Sequence, residues 1–194
     1  MYVTQGLHRS LQRRPDAIAT VCAGRTRTHR ESVDRIARLA GALRGLGVGV
    51  GDRVAILSLN SDRYHEALAA TAWAGGVVVP VNIRWALPEI AASLTEVDAR
   101  LLLVDDTFAS MVPAVRCAHP GLTHVLHLGD GAAPDGASVV EQLIDSTEPV
   151  DDVRRSGSDP AAICYTGGTT SAAGKVLKRE LRRPYWADQE RAVH

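Results

Sequence analysis

Residues 53–106, RVAILSLNSDRYHEALAATAWAGGVVVPVNIRWALPEIAASLTEVDARLLLVDD, decide the fold class. They open on a short, mostly apolar strand over 53–58, of the kind that a parallel sheet buries on both faces. Asn60 or Ser61 suits the N-cap of a helix that runs through Tyr64, Leu68 and Trp73 and stops at the Gly75-Gly76 break. VVVPV, 77–81, is a second strand. Pro88 and Glu89 fit the first turn of another helix over 90–97, and RLLLVDD, 100–106, is a third strand. Strand, helix, strand, helix, strand at this spacing predicts an α/β layer with a mostly parallel sheet flanked by helices.

The flanks extend the pattern. Upstream, Val33, Ile36, Ala37, Ala40, Leu43 and Leu46 follow the three-four spacing of a helix buried on one face, over 31–46. Before it come a short amphipathic opening helix, a turn at Pro15 and Asp16, and two short strands over 17–22 and 26–29. Downstream, a helix over 108–117 and a strand over 123–128 repeat the alternation. A loop over 129–136, a short helix over 138–144 and a polar linker over 147–159 then lead to a buried strand, AAICYT, over 161–166. No internal repeat is visible.

The chain has 194 residues, 45% of them hydrophobic and 23% charged, which is too apolar for a disordered polymer. No apolar run is long enough to cross a bilayer. The opening residues lack the apolar core of a secretory signal. Cys22, Cys117 and Cys164 are odd in number and widely spaced, so neither a disulfide framework nor a zinc ribbon is supported, and a cytoplasmic location is expected. Zero net charge gives no reason to expect nucleic acid. That zero is nonetheless a sum of unlike parts: residues 1–170 hold 16 Arg, no Lys and 19 acids, net −3, while residues 171–194 hold 2 Lys, 4 Arg and 3 acids, net +3.

TGGTTS, 166–171, places two glycines and four hydroxyl residues directly after an apolar strand. Backbone N–H groups in such a loop can turn inward to cradle phosphate oxygens, and the hydroxyls add donors. A tight surface turn explains the same letters equally well. A Walker loop is excluded, because five residues separate Gly168 from Gly174 and Val176 follows Lys175. A dinucleotide fingerprint at Gly47-x-Gly49 also fails, since it lies between a helix and a strand in the wrong order. His124 and His127 have no third ligand nearby and read as surface histidines. Asp105 and Asp106 read as strand-end caps, and Cys164 as an inert core thiol. No metal site is expected from these residues.

The segment CYTGGTT, 164–170, resembles the phosphate-binding loop of AMP-forming acyl-CoA synthetases and their adenylate-forming relatives. The stretch over 53–106 is similar to the amino-terminal region of the same family, in the branch that activates fatty and other organic acids. The resemblance covers nearly all of residues 5–170. It implies the amino-terminal subdomain of the adenylate-forming fold, with ATP, Mg2+ and coenzyme A as the reagents and a carboxylic or fatty acid as substrate. Thr166, Gly167, Gly168, Thr169 and Thr170 would then hold the β and γ phosphates.

The family pattern continues as Gly-x-Pro-Lys-Gly, whereas this chain has Ser171, Ala172, Ala173, Gly174 and Lys175. GKVLKRELRRPYW, 174–186, instead resembles the family's extreme carboxy-terminal motif, in which Lys175 would meet the acyl carboxylate and α-phosphate. The resemblance therefore implies a partial AMP-binding domain over 1–170 joined to a carboxy-terminal remnant over 171–194, with the middle missing. A lone loop gives little net affinity for a strongly hydrated triphosphate, so weak nucleotide binding and little or no adenylation are expected. Two rival readings are a non-catalytic module that pairs with an intact synthetase or with itself through exposed sheet edges, and an independent P-loop NTPase.

Overall fold

The strand-helix alternation builds a five-stranded, wholly parallel sheet in the computed structural model, which describes residues 2–165. Its strands are β3 (Arg53–Leu57), β4 (Val77–Pro80), β5 (Leu101–Val104), β6 (His124–His127) and β7 (Ser138–Val139), in the spatial order β4-β3-β5-β6-β7. Ahead of it come α1 (Gln5–Arg13), an antiparallel ribbon of β1 (Ile18–Cys22) and β2 (Arg25–Thr28), and α2 (His29–Gly45). The connecting helices are α3 (Asp62–Ala74), α4 (Leu87–Glu96) and α5 (Val112–Ala118), and α6 (Val140–Ser146) follows β7.

Crossover handedness distributes these helices. The chain steps one way from β3 to β4 and the other way from β4 to β5, so right-handed connections put α3 and α4 on opposite faces. Val54, Ile56, Val78, Leu101, Leu103 and Leu126 join one buried cluster with α2, α3 and α6. The alternate residues Ala55, Leu57, Val79, Leu102 and Val104 are equally buried and point to the other face. Both faces are therefore covered, which is why these strands read as nearly unbroken apolar runs.

Local chemistry sets the helix ends. Thr28 and Glu31 form a reciprocal capping box on α2: the Glu31 N–H donates to Thr28 Oγ1 at 3.2 Å and the Thr28 N–H to Glu31 Oε2 at 2.7 Å. Ser61 caps α3 by accepting from the Tyr64 N–H at 3.0 Å, and Gly75, at φ +95°, ends it in the left-handed region. Two expectations need correction. Residues 138–139 pair with β6 as β7, because that short segment completes the sheet edge before α6 begins. The polar stretch 147–159 is not a free linker. Its carbonyls are gripped by α2 and α3: Arg38 donates to Thr147 O at 3.0 Å, Trp73 Nε1 to Val150 O at 2.8 Å and Arg44 to Asp151 O at 2.7 Å.

Across the carboxyl side of the sheet, eight charged side chains form a closed, alternating ring. Arg25 holds Asp62 through two bonds of 2.9 Å and reaches Asp130 at 2.9 Å. Arg63 pairs with Asp130 at 2.7 Å and with Glu141 at 2.8 Å. Arg35 bridges Glu141 at 2.8 Å to Glu66 at 2.9 Å, and Arg27 lies 3.1 Å from Glu66 and 3.8 Å from Asp62, which closes the circuit. The ring ties the β1–β2 ribbon, α2, α3, α6 and the loop after β6 to one another. Bonds from Arg25 outweigh burial and hold the Asp62 carboxyl down at about 2. Burial pushes Glu141 up, but Arg35 and Arg63 still keep it below the ordinary range; Asp130 is lowered by Arg63 and then Arg25.

A Cβ on Gly41 would sit 2.9 Å from both the Glu148 carbonyl oxygen and Thr147 Cγ2, whereas one on Gly45 meets nothing within 4 Å. Gly41→Ala is expected to cost about 1–3 kcal/mol in urea unfolding, and Gly45→Ala to be neutral or slightly stabilising. Equal effects at both glycines would refute the close docking of the 147–150 segment.

Asp62 gives a pH signature. Its folded value of about 2 lies below the ordinary 3.8, so its stabilisation is complete above about pH 4 and is lost as pH falls toward 2. Asp62→Asn should destabilise by about 2 kcal/mol near neutrality, with the gap to the parent closing below about pH 4. An offset that stays constant across denaturation curves from pH 7 to pH 2 would contradict the assignment.

Candidate functional site

In a sheet ordered this way the chain reverses direction between β3 and β5, and ligands of open parallel sheets gather outside the carboxyl ends at such a reversal. Ser58, Leu59, Asp105 and Asp106 stand there. Asp105 Oδ2 accepts from the Leu59 N–H at 2.7 Å and from Ser58 Oγ at 3.1 Å, while its Oδ1 accepts from the Thr107 N–H at 3.0 Å. Asp106 accepts from the Asp130 and Gly131 N–H groups at 3.0 and 3.1 Å. Both carboxylates thus act as caps that fasten neighbouring strand ends.

His127, expected at the surface, is buried at 1% exposure, and its Nε2 lies 2.9 Å from Asp106 Oδ1. Its position at the carboxyl end of β6, inside the sheet and not on its rim, is the reason. Gly129 is packed so closely that a Cβ would collide with the Asp106 carboxylate. These contacts make the edge a fixed platform. Among the described residues no group of three or more His, Cys, Asp or Glu side chains converges as a metal-ligand set.

The chain leaves this unit beside β4. Ala162 pairs in parallel with Val78, the Val78 N–H donates to Ala161 O at 3.0 Å and the Ile163 N–H to Val78 O at 2.8 Å. The pairing is one isolated bridge and not the full buried strand expected over 161–166, and Cys164 is exposed where a core thiol was expected. The polypeptide here runs in the same direction as β4, toward the carboxyl edge. The candidate residues Thr166, Gly167, Gly168, Thr169, Thr170 and Lys175 all lie outside the described residues.

Sequence reasoning missed the charged ring and the Asp106–His127 pair. The one local signal was Asp62 and Glu66, acids four apart on one helix face followed by no basic partner at helical spacing. Among the described residues no helix is long and apolar enough to cross a membrane.

Comparison with known proteins covers most of the chain. Residues 7–173 match the family model described as AMP-binding enzyme. The chain is 36% identical over 166 residues to the fatty acid–acyl-carrier-protein ligase ScoC of Streptomyces coeruleorubidus, covering 86% of this chain and 30% of that protein. It is 37% identical over 150 residues to a long-chain-fatty-acid–CoA ligase of Thermus thermophilus, covering 77% of this chain and 27% of that one. Among solved structures, the anthranilate CoA ligase AuaEII in complex with anthranoyl-AMP superposes with a TM-score of 0.82 at 25% identity, over 88% of this chain and 33% of that chain. ATP-bound MatB from Rhodopseudomonas palustris gives a TM-score of 0.72 at 26% identity, over 96% and 38%. The chain spans about a third of the length of the relatives it matches. With a family match across the parallel sheet and its exit toward the carboxyl edge, the chain belongs to the AMP-binding enzyme family, and its described part has the α/β fold of the amino-terminal domain of adenylate-forming enzymes.

Proposed function

We propose that the chain derives from an AMP-forming acid–thiol ligase, which couples a carboxylic or fatty acid to coenzyme A through an acyl-adenylate, and that alone it adenylates weakly or not at all. The observation that carries this reading is the family match over residues 7–173, beside similarity to relatives named as a fatty acid–acyl-carrier-protein ligase and a long-chain-fatty-acid–CoA ligase. In this reading Thr166, Gly167, Gly168, Thr169 and Thr170 cradle the β and γ phosphates of ATP. The guanidine-free tip of Lys175, a compact ammonium, offsets charge where the acyl carboxylate meets the α-phosphate. Mg2+ supplies further charge compensation when bound. Residues 1–170 then form the head and 171–194 a carboxy-terminal remnant, acting in the cytoplasm.

Weak adenylation is proposed for these 194 residues by themselves, which cover about 30% of the curated relatives. Positioning supplies much of the rate in such chemistry, and half a site positions nothing. A second reading, pairing with an intact synthetase or with another copy, is favoured by the two-stranded ribbon, where Ile18 and Val21 stand 63% and 68% exposed. Co-purification with a synthetase subunit distinguishes it.

The decisive assay is carboxylate-dependent exchange of pyrophosphate into ATP. The chain alone should stay at background, whereas residues 1–170 grafted in place of the matching head of the Thermus thermophilus ligase should restore exchange. Enzyme-like exchange by the chain alone would overturn the inactivity, and a folded graft without exchange would overturn the ligase assignment.

A further inference from the structure

Most arginines of this unit are spoken for. Among the described residues, Arg25, Arg27, Arg30, Arg35, Arg38, Arg53, Arg63, Arg100 and Arg155 pair with carboxylates, and Arg44 and Arg116 donate to carbonyls. Arg9, Arg13, Arg14, Arg84 and Arg154 do neither, Arg154 lying over the Tyr2 ring instead; the first three stand together. Arg9, Arg13 and Arg14 line one cleft of about 400 Å³, together with Ser10 and His29. We propose that this cleft is a binding site for a polyphosphate-bearing anion, separate from the nucleotide loop at 166–170.

The cleft has a defined frame. Arg9 and Arg13 are four apart and share one face of α1, Arg14 is the C-cap of that helix, and His29 is the first residue of α2. The intervening turn is fastened by the Arg14 N–H to Ser10 O at 2.8 Å, the His29 N–H to Ala17 O at 3.0 Å and the Arg30 N–H to Pro15 O at 2.9 Å. The nearby acids are committed elsewhere: Asp16 pairs with Arg30 at 3.2 Å, and Glu31 is held in the Thr28 capping box. Compensating the α1 dipole accounts for one cation at its C-terminus, not for three converging on one hollow.

The lining also selects the ligand. It offers guanidinium groups, which match phosphate oxygens with forked donors, and a hydroxyl and an imidazole, but no carboxylate and no aromatic ring other than His29. No aliphatic side chain lines it to hold an acyl chain. A cleft of this volume exceeds a single phosphate and suits a di- or triphosphate group, either free or carried by a lipid as a diphosphate headgroup.

Equilibrium binding of inorganic tripolyphosphate to the full chain tests this, beside sedimentation with phosphatidylcholine vesicles that contain or lack a polyprenyl diphosphate lipid. The parent should bind the soluble anion or the acidic vesicles, and whichever it binds identifies the source. Arg9→Ala/Arg13→Ala/Arg14→Ala should weaken that binding about tenfold or more, while Arg84→Ala, an exposed arginine outside the cleft, changes it by less than about twofold. Lys175→Ala should leave it unchanged whether or not a grafted chain adenylates, so the two readings fail separately. Binding to neither probe, unchanged binding by the triple variant with an unaltered circular dichroism spectrum, or equal weakening by Arg84→Ala would overturn the proposal.

Discussion

A closed ring of four arginines and four carboxylates fixes how the pieces around this sheet fit together. Withdrawing ions from water is costly, and a buried pair is often no more stabilising than apolar residues of the same volume. The ring is therefore better understood as a device for specificity. Arg25, Arg35 and Arg63 each bridge acids from two different elements and Arg27 spans two acids of α3 from the ribbon, so a shifted ribbon or a slipped α6 would leave a half-buried charge unmatched. Glu66 shows the stringency: its side chain is 1% exposed, and Arg27 and Arg35 both converge on it. The apolar core supplies the driving force, and the ring restricts which packing that force can settle into.

The sheet and its helices were legible because their signals are local. Apolar runs mark strands covered on both faces, and the three-four spacing of Val33, Ile36, Ala40 and Leu43 marks the α2 stripe. The ring was not legible, because its partners are 31 to 106 residues apart and a single sequence carries no pairing signal over that distance. Arg63 and Glu66 sit where a surface-helix pattern expects solvent, yet the ribbon and α6 cover them. The segment 147–159 was misjudged for a related reason. Its composition is polar, but it docks through backbone carbonyls, which every sequence possesses.

The candidate loop was read from its chemistry alone, and Thr166, Gly167, Gly168, Thr169, Thr170 and Lys175 lie outside the described residues. The glycine and hydroxyl pattern at 166–170 states which groups are available; within the described residues, Ala161–Ile163 run parallel to β4, toward the carboxyl edge. That edge is where the ring, Asp105 and Asp106 concentrate their bonds. The fixed strand ends carry little chemistry of their own, since their carboxylates are already saturated by backbone N–H groups. They act as fixed anchors for the loops that follow the strands.

Charge count alone would have ranked these regions wrongly. The ring is the densest cluster of arginine in the unit, and it is electrically closed, so an incoming anion would have to displace a carboxylate already bonded at 2.7 to 2.9 Å. The α1 cleft holds fewer arginines, all of them uncompensated, within a segment whose total charge is negative. A ligand there replaces water and counterions instead of a protein partner, which is a much smaller cost. The property that separates scaffold from binding surface in this molecule is thus the local balance of each arginine, a quantity that the net charge of zero conceals twice: once between head and tail, and again within the head.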